Sequence, residues 1–145
     1  MSTTEERTGF REQGVSEWIR KNLPSSTRPS CFTTYDVDFV LRNYSTNRLA
    51  FVEMKCYQCE PAYGQRLTME LIDESMRLGI LARNEHYGIK SMQWTWCGYW
   101  LLQFENTKPD DGRMWLNTYE LTEEQLKHHL GEIVAPTGPG SPSQK

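Results

Sequence analysis

The sequence has no apolar run of the length needed to span a bilayer, and its opening stretch, MSTTEERTGF, lacks the apolar core of a secretory signal. The expectation is a soluble, cytoplasmic protein with no membrane partner. Cysteine is scarce, with 4 residues at irregular spacing, which excludes a dense disulfide framework and fits reduced thiols. An excess of positive charge is also missing. The formal net charge of −3 argues against binding nucleic acid mainly by bulk attraction to phosphates. It leaves room for a nuclease, whose acidic metal ligands lower the charge at the place where substrate binds.

What is present suits a globular chain. At 145 residues, with 37% hydrophobic and 24% charged residues, the sequence accommodates one domain with a core of ordinary size. That domain is expected over residues 10–134. Residues 1–9 are expected to be disordered, and 135–145, APTGPGSPSQK, to form a flexible tail because Pro, Gly and Ser dominate them.

Within the domain, Phe10, Val15, Trp18, Ile19 and Leu23 recur at helical spacing until Pro24. The stretch CFTTYDVDFVLRNY alternates apolar and polar residues, STN offers a turn, and RLAFVEMKCY resumes the alternation. This predicts a β-hairpin. Leu67, Leu71, Leu78 and Ala82 then share one face of a long helix that stops near Gly88. WTWCGYWLLQFE and RMWLNTYEL, flanking NTKPDDG, predict a second pair of strands. Thr122 and Gln125 occupy capping-box positions of a last helix, with Leu121 and Leu126 placed as its hydrophobic staple. The order α-β-β-α-β-β-α predicts an α/β (α+β) fold with a mixed sheet flanked by helices.

Strand alternation gives the hairpin a chemical face. Asp36 and Asp38 share one side of their strand, and Glu53 and Lys55 share one side of the next, with Val52 and Met54 pointing away. If the hairpin puts both acidic faces together, Asp38, Glu53 and Lys55 converge. Two carboxylates suit Mg²⁺, which keeps waters and takes further oxygen ligands from a phosphate. A neighbouring lysine can orient or deprotonate an attacking water and offset charge developing on the phosphate.

These residues, DVDFV followed by FVEMK, resemble the PD-(D/E)XK nuclease superfamily, in small phage-encoded or resolvase-like form. The resemblance covers about residues 10–105 and implies a restriction-endonuclease-like fold and Mg²⁺-dependent hydrolysis of DNA, with Mn²⁺ as a substitute and a homodimer as an option. It implies Asp38 and Glu53 as metal ligands together with the Met54 carbonyl, and Lys55 as the catalytic lysine. Val37 stands where the family name has Pro. The resemblance makes Asp36 an alternative or auxiliary ligand and Gln65 and Glu17 candidates for supporting roles, although Met69 stands where the longer Gln motif has Tyr. Arg20, Lys21 and Arg66 are the candidates to hold the phosphate backbone. The alternative is an inactive protein of the same fold, phage-encoded and working in the host cytoplasm, that binds nucleic acid or another protein.

Other motifs carry less. Cys56 and Cys59 form one Cys-x-x-Cys pair, but a structural zinc site takes four ligands, and Cys31 and Cys97 stand apart. Neither zinc nor an iron–sulfur cluster is expected, and Cys56, on the face of Val52 and Met54, reads as a buried free thiol. Trp94, Trp96, Tyr99 and Trp100 read as core aromatics, with Trp94, at the start of the run, the one placed to stack on a base.

Overall fold

The computed structural model describes residues 37–137 together with Trp18, Lys21 and Asn22. The chain divides into two compact units, Met1–Asp36 and Val37–Lys145. In the first, Trp18, Lys21 and Asn22 are helical and exposed, and the Asn22 side-chain amide donates to the Trp18 carbonyl at 2.8 Å. The rest of the expected first helix, and residues 31–36 of the expected first strand, lie outside the described residues, as do residues 1–9 and 138–145.

The second unit holds a five-stranded mixed sheet and two helices, an α+β arrangement. The strands are β1 (Phe39–Asn43), β2 (Arg48–Lys55), β3 (Thr95–Phe104), β4 (Met114–Leu116) and β5 (Tyr119–Leu121), and the helices are α1 (Tyr63–Tyr87) and α2 (Glu123–Glu132). The sheet follows chain order, β1-β2-β3-β4-β5. Only β2 and β3 run parallel, because a parallel pair needs a long crossover and α1 supplies it; the other neighbours are antiparallel. Among the described residues, no helix is long and apolar enough to cross a membrane.

The two faces of the sheet serve different ends. On one, Ala50, Val52, Trp100, Leu102 and Leu116 form the buried core with Leu126 and Ile133 of the α2 region. Alternation in β2 and β3 puts these residues on one side. The capping box starts α2 as expected: Thr122 Oγ1 accepts from the Gln125 amide at 3.2 Å, and the Thr122 amide donates to Gln125 Oε1 at 2.9 Å. At its other end, the Gly131 and Ile133 carbonyls accept from Asn43 Nδ2 and Arg48 Nε, both at 3.1 Å. Free helix-end carbonyls thereby tie α2 to the hairpin. The packed chain also runs past residue 134, since Ala135 lies against the core and Pro136 is buried.

Two expectations are corrected. RMWLNTYEL is a tight hairpin rather than a single strand. Asn117 and Thr118, with φ of 49° and 74°, form its two-residue turn, the left-handed pair that matches the twist of flanking strands. Asn117 is fixed there by Leu101, whose amide donates to Asn117 Oδ1 and whose carbonyl accepts from the Asn117 amide, each at 2.9 Å.

The second correction concerns α1. Leu67, Leu71 and Leu78, the expected buried face, are 46%, 63% and 61% exposed. The residues turned toward the sheet include Gln65, Asp73 and Asn84, because this second face of the sheet carries polar groups that need partners. Asp73 Oδ1 accepts from Trp96 Nε1 at 2.7 Å, and Asn84 exchanges hydrogen bonds with both the amide and the carbonyl of Trp94. Gly88, at φ 75°, caps α1 with its amide on the Asn84 carbonyl.

Candidate active site

The face of the sheet under α1 collects the acidic residues. In the β1–β2 register Phe39 lies opposite Val52, so Asp38, one residue earlier, falls opposite Glu53, and both point to the side away from Val52. The Asp38 carboxylate reaches in at the sheet edge, where its Oδ2 accepts from the Met54 amide at 2.7 Å. It thus takes the place of a backbone acceptor just beyond the end of β1. The amide and carbonyl of one strand residue leave on the same edge, so the Met54 carbonyl is directed to the Asp38 side as well.

Glu53 is the centre of the arrangement. Its residue surface is 4% exposed, unusual for a carboxylate. Oε1 accepts from Gln65 Nε2 at 2.7 Å and lies 3.1 Å from Lys55 Nζ. Oε2 is buried and, among the described residues, has no hydrogen-bond partner. Burial, reinforced by the nearby charge of Asp38, raises the Glu53 pKa above its ordinary value, while the hydrogen bonds from Lys55 and Gln65 oppose the shift. The balance leaves a carboxylate with one oxygen paired to Lys55 and Gln65 and the other open to a further positive charge.

Gln65 is the buried residue of α1. The crossover from β2 brings the first turns of this helix back over the strand it has just left, so a residue only 12 positions after Glu53 meets it from above. Lys55 is more open, with its side chain 25% exposed. Its ammonium therefore links the buried carboxylate to solvent.

Tyr99 joins the site without having been expected there. Burial raises its pKa to about 12, and the charges of Glu53 and Asp38 push in the same direction. A β-bulge places it. Between Leu49 and Phe51 the β2–β3 register shifts, and Gly98 takes φ 120°, so Trp96 and Tyr99, three positions apart, both pack on Phe51 at 5.1 and 5.7 Å between ring centroids. Strict alternation would have sent them to opposite faces. The glycine inside an otherwise bulky strand, WCGYW, was the available signal.

The remaining candidates divide. Arg66 is exposed, pairs with Glu60 at 3.3 Å, and lines a cleft with Tyr99 and Met69, near the site but committed to a surface ion pair. Lys21 belongs to the other unit and is exposed. Asp36, Glu17 and Arg20 lie outside the described residues, as does Cys31. The other three thiols are free: Cys56 and Cys97 are half-buried, and Cys59 is exposed, so Cys56 is less enclosed than expected because it follows the end of β2.

Among the described residues, no three His, Cys, Asp or Glu side chains come together. A cation here would accordingly rest on the carboxylates of Asp38 and Glu53 and on main-chain oxygen, a donor set of hard oxygens that suits Mg²⁺ or Mn²⁺ rather than zinc. The buried, unpartnered Oε2 of Glu53 fits that role. Comparison with known protein families, with curated proteins and with solved structures returned no match.

Proposed function

We propose that the chain is a divalent-metal-dependent nuclease of the PD-(D/E)XK kind that hydrolyses phosphodiester bonds of DNA. The observation that carries the reading is the pairing of Asp38 with a buried Glu53 whose Oε2 has no partner, beside Lys55. A carboxylate left unsatisfied inside a fold is costly, and the cost is removed when a cation binds. The antiparallel β1–β2 pair followed by the α1 crossover to β3 accords with a restriction-endonuclease-like core.

In this reading Asp38, Glu53 and the Met54 carbonyl hold Mg²⁺ or Mn²⁺. The ion, when bound, polarises a phosphoryl oxygen and acidifies a bound water. Gln65 fixes the Glu53 carboxylate through Oε1, leaving Oε2 for the ion. Lys55 faces solvent from the same carboxylate, where its ammonium orients the attacking water and offsets negative charge developing on the phosphate. Tyr99, a neutral phenol at physiological pH, offers a hydrogen bond to a phosphate oxygen without adding charge.

The test is cleavage of supercoiled and single-stranded DNA with Mg²⁺ or Mn²⁺ by the wild-type chain and by Lys55→Ala and Glu53→Gln. The reading expects metal-dependent cleavage lost in both variants. Equal cleavage by pure Lys55→Ala and wild type would overturn it.

A further inference from the structure

At the far end of the same sheet face, aromatic rings and cations gather. The Arg42 guanidinium lies over two rings, 4.4 Å from the Tyr44 centroid and 4.3 Å from that of Trp94. Arg83, near the end of α1, stands 5.0 Å from the Tyr87 ring and 5.9 Å from Trp94. The two hydrogen bonds between Asn84 and the Trp94 backbone hold the helix end and the start of β3 together, so the rings are set on a rigid base.

The charges here differ from those elsewhere. Among the described residues of this unit, Lys55, Arg66, Arg77, Lys108, Arg113 and Lys127 each lie within 4.0 Å of a carboxylate. Arg48 gives its Nε to the Ile133 carbonyl. Arg83 likewise gives one Nη to the Met92 carbonyl at 3.2 Å, and among the described residues neither it nor Arg42 nor Lys90 has a carboxylate partner; Lys90 sits on the loop that joins α1 to β3 near Trp94. Among the described residues of this unit, the cations without a carboxylate thus include three at one end of one face, among exposed aromatics: Tyr44 is 79% exposed and Tyr87 60%.

A guanidinium held over aromatic rings and without a carboxylate keeps N–H donors for a phosphate, while exposed rings beside it take a base. Arg42 also shares its face of β1 with Asp38, four residues earlier, about 13 Å away at the rise of a strand. A strand of a few nucleotides would reach from one to the other over the half-open edge of β1, where Val40 is exposed. We infer that Arg42, Arg83, Tyr44 and Trp94 form a binding platform for single-stranded DNA, which carries the strand toward Asp38 and Glu53. The inference rests on the nuclease reading for its substrate class. Single strand is favoured over duplex because stacking needs unpaired bases.

The experiment measures fluorescence anisotropy of a labelled oligothymidylate of about 20 nucleotides with the full chain in EDTA, where no cleavage occurs. Arg42→Ala and Arg83→Ala should each weaken binding about tenfold and lower the salt slope by about one. Tyr44→Ala, at a site too exposed to affect folding, should weaken it as well, and Lys127→Ala on α2 should leave it unchanged. Binding should quench tryptophan fluorescence in the wild type and spare a Trp94→Phe variant. Wild-type affinity in all three platform variants would overturn the inference, as would tighter binding of a duplex of equal length. Failure of the nuclease reading is separate: Glu53→Gln that binds the oligonucleotide normally, in a protein that cuts nothing with any metal, removes the chemistry and leaves the platform standing.

Discussion

Gln65 donates its side-chain amide to Oε1 of Glu53 at 2.7 Å, and the two residues, both buried, form the link between α1 and β2. This hydrogen bond explains why α1 presents a polar residue to the sheet and leaves leucines outside. It also divides the Glu53 carboxylate into a satisfied oxygen and an unsatisfied one.

Replacing Gln65 with Leu should cost about 1.5–3 kcal/mol, since a buried charged acceptor loses a donor and an apolar group of similar size gives nothing back. Urea unfolding at pH 7 measures it. Gln65→Leu should also raise the Glu53 pKa further, because the hydrogen bond it removes is one of those that lower it.

Glu53→Gln should be more stable than the wild type at neutral pH in EDTA. The folded-state pKa of Glu53 lies above its ordinary 4.5, so the folded chain holds the proton more tightly than the unfolded one. Below 4.5 both states are protonated and nothing is lost. Between 4.5 and the raised value, stability falls as pH rises, and above it the loss stays constant. Thermal unfolding from pH 4 to 8 should show this decline in the wild type and its absence in Glu53→Gln, with the variant melting higher at pH 7. A variant that melts lower throughout would contradict the account of Glu53.

Asp38→Asn separates structure from metal binding. The Asn Oδ1 can still accept from the Met54 amide, so the fold should stay within about 1 kcal/mol of the wild type, whereas Asp38→Ala loses that bond. Both should abolish the Mg²⁺-dependent rise in Tm, which for the wild type should reach about 2.7 kcal/mol of added stability at a hundredfold excess over Kd. Cleavage should fall by more than about a hundredfold.

Thr118→Gly should stabilise the β4–β5 hairpin. Thr118 sits at φ 74°, which a β-branched residue adopts with strain, and the change creates the Asn-Gly pair preferred in such turns. An increase of about 0.5–1 kcal/mol is expected by urea unfolding, with no effect on any activity, because the change keeps Asn117, whose bonds to Leu101 anchor the turn.

Some of this was determined by the sequence alone. Alternation puts Glu53 and Lys55 on one face of their strand, because a strand has a period of two, whereas the β1–β2 register decided that Asp38 meets them. The capping box at Thr122 and the stop at Gly88 are likewise local, set by hydrogen bonds within a single turn of chain. Tertiary structure decided the rest. Helical spacing marked Leu67, Leu71 and Leu78 as a face but could not say which face the sheet would take. Trp96, Trp94 and Glu53 chose the one with Asp73, Asn84 and Gln65, since their buried polar groups cost more unpaired than exposed leucines do. The bulge at Gly98 then brought Tyr99 beside Glu53, and Asn117 turned one expected strand into two, both through residues whose partners lie on another strand.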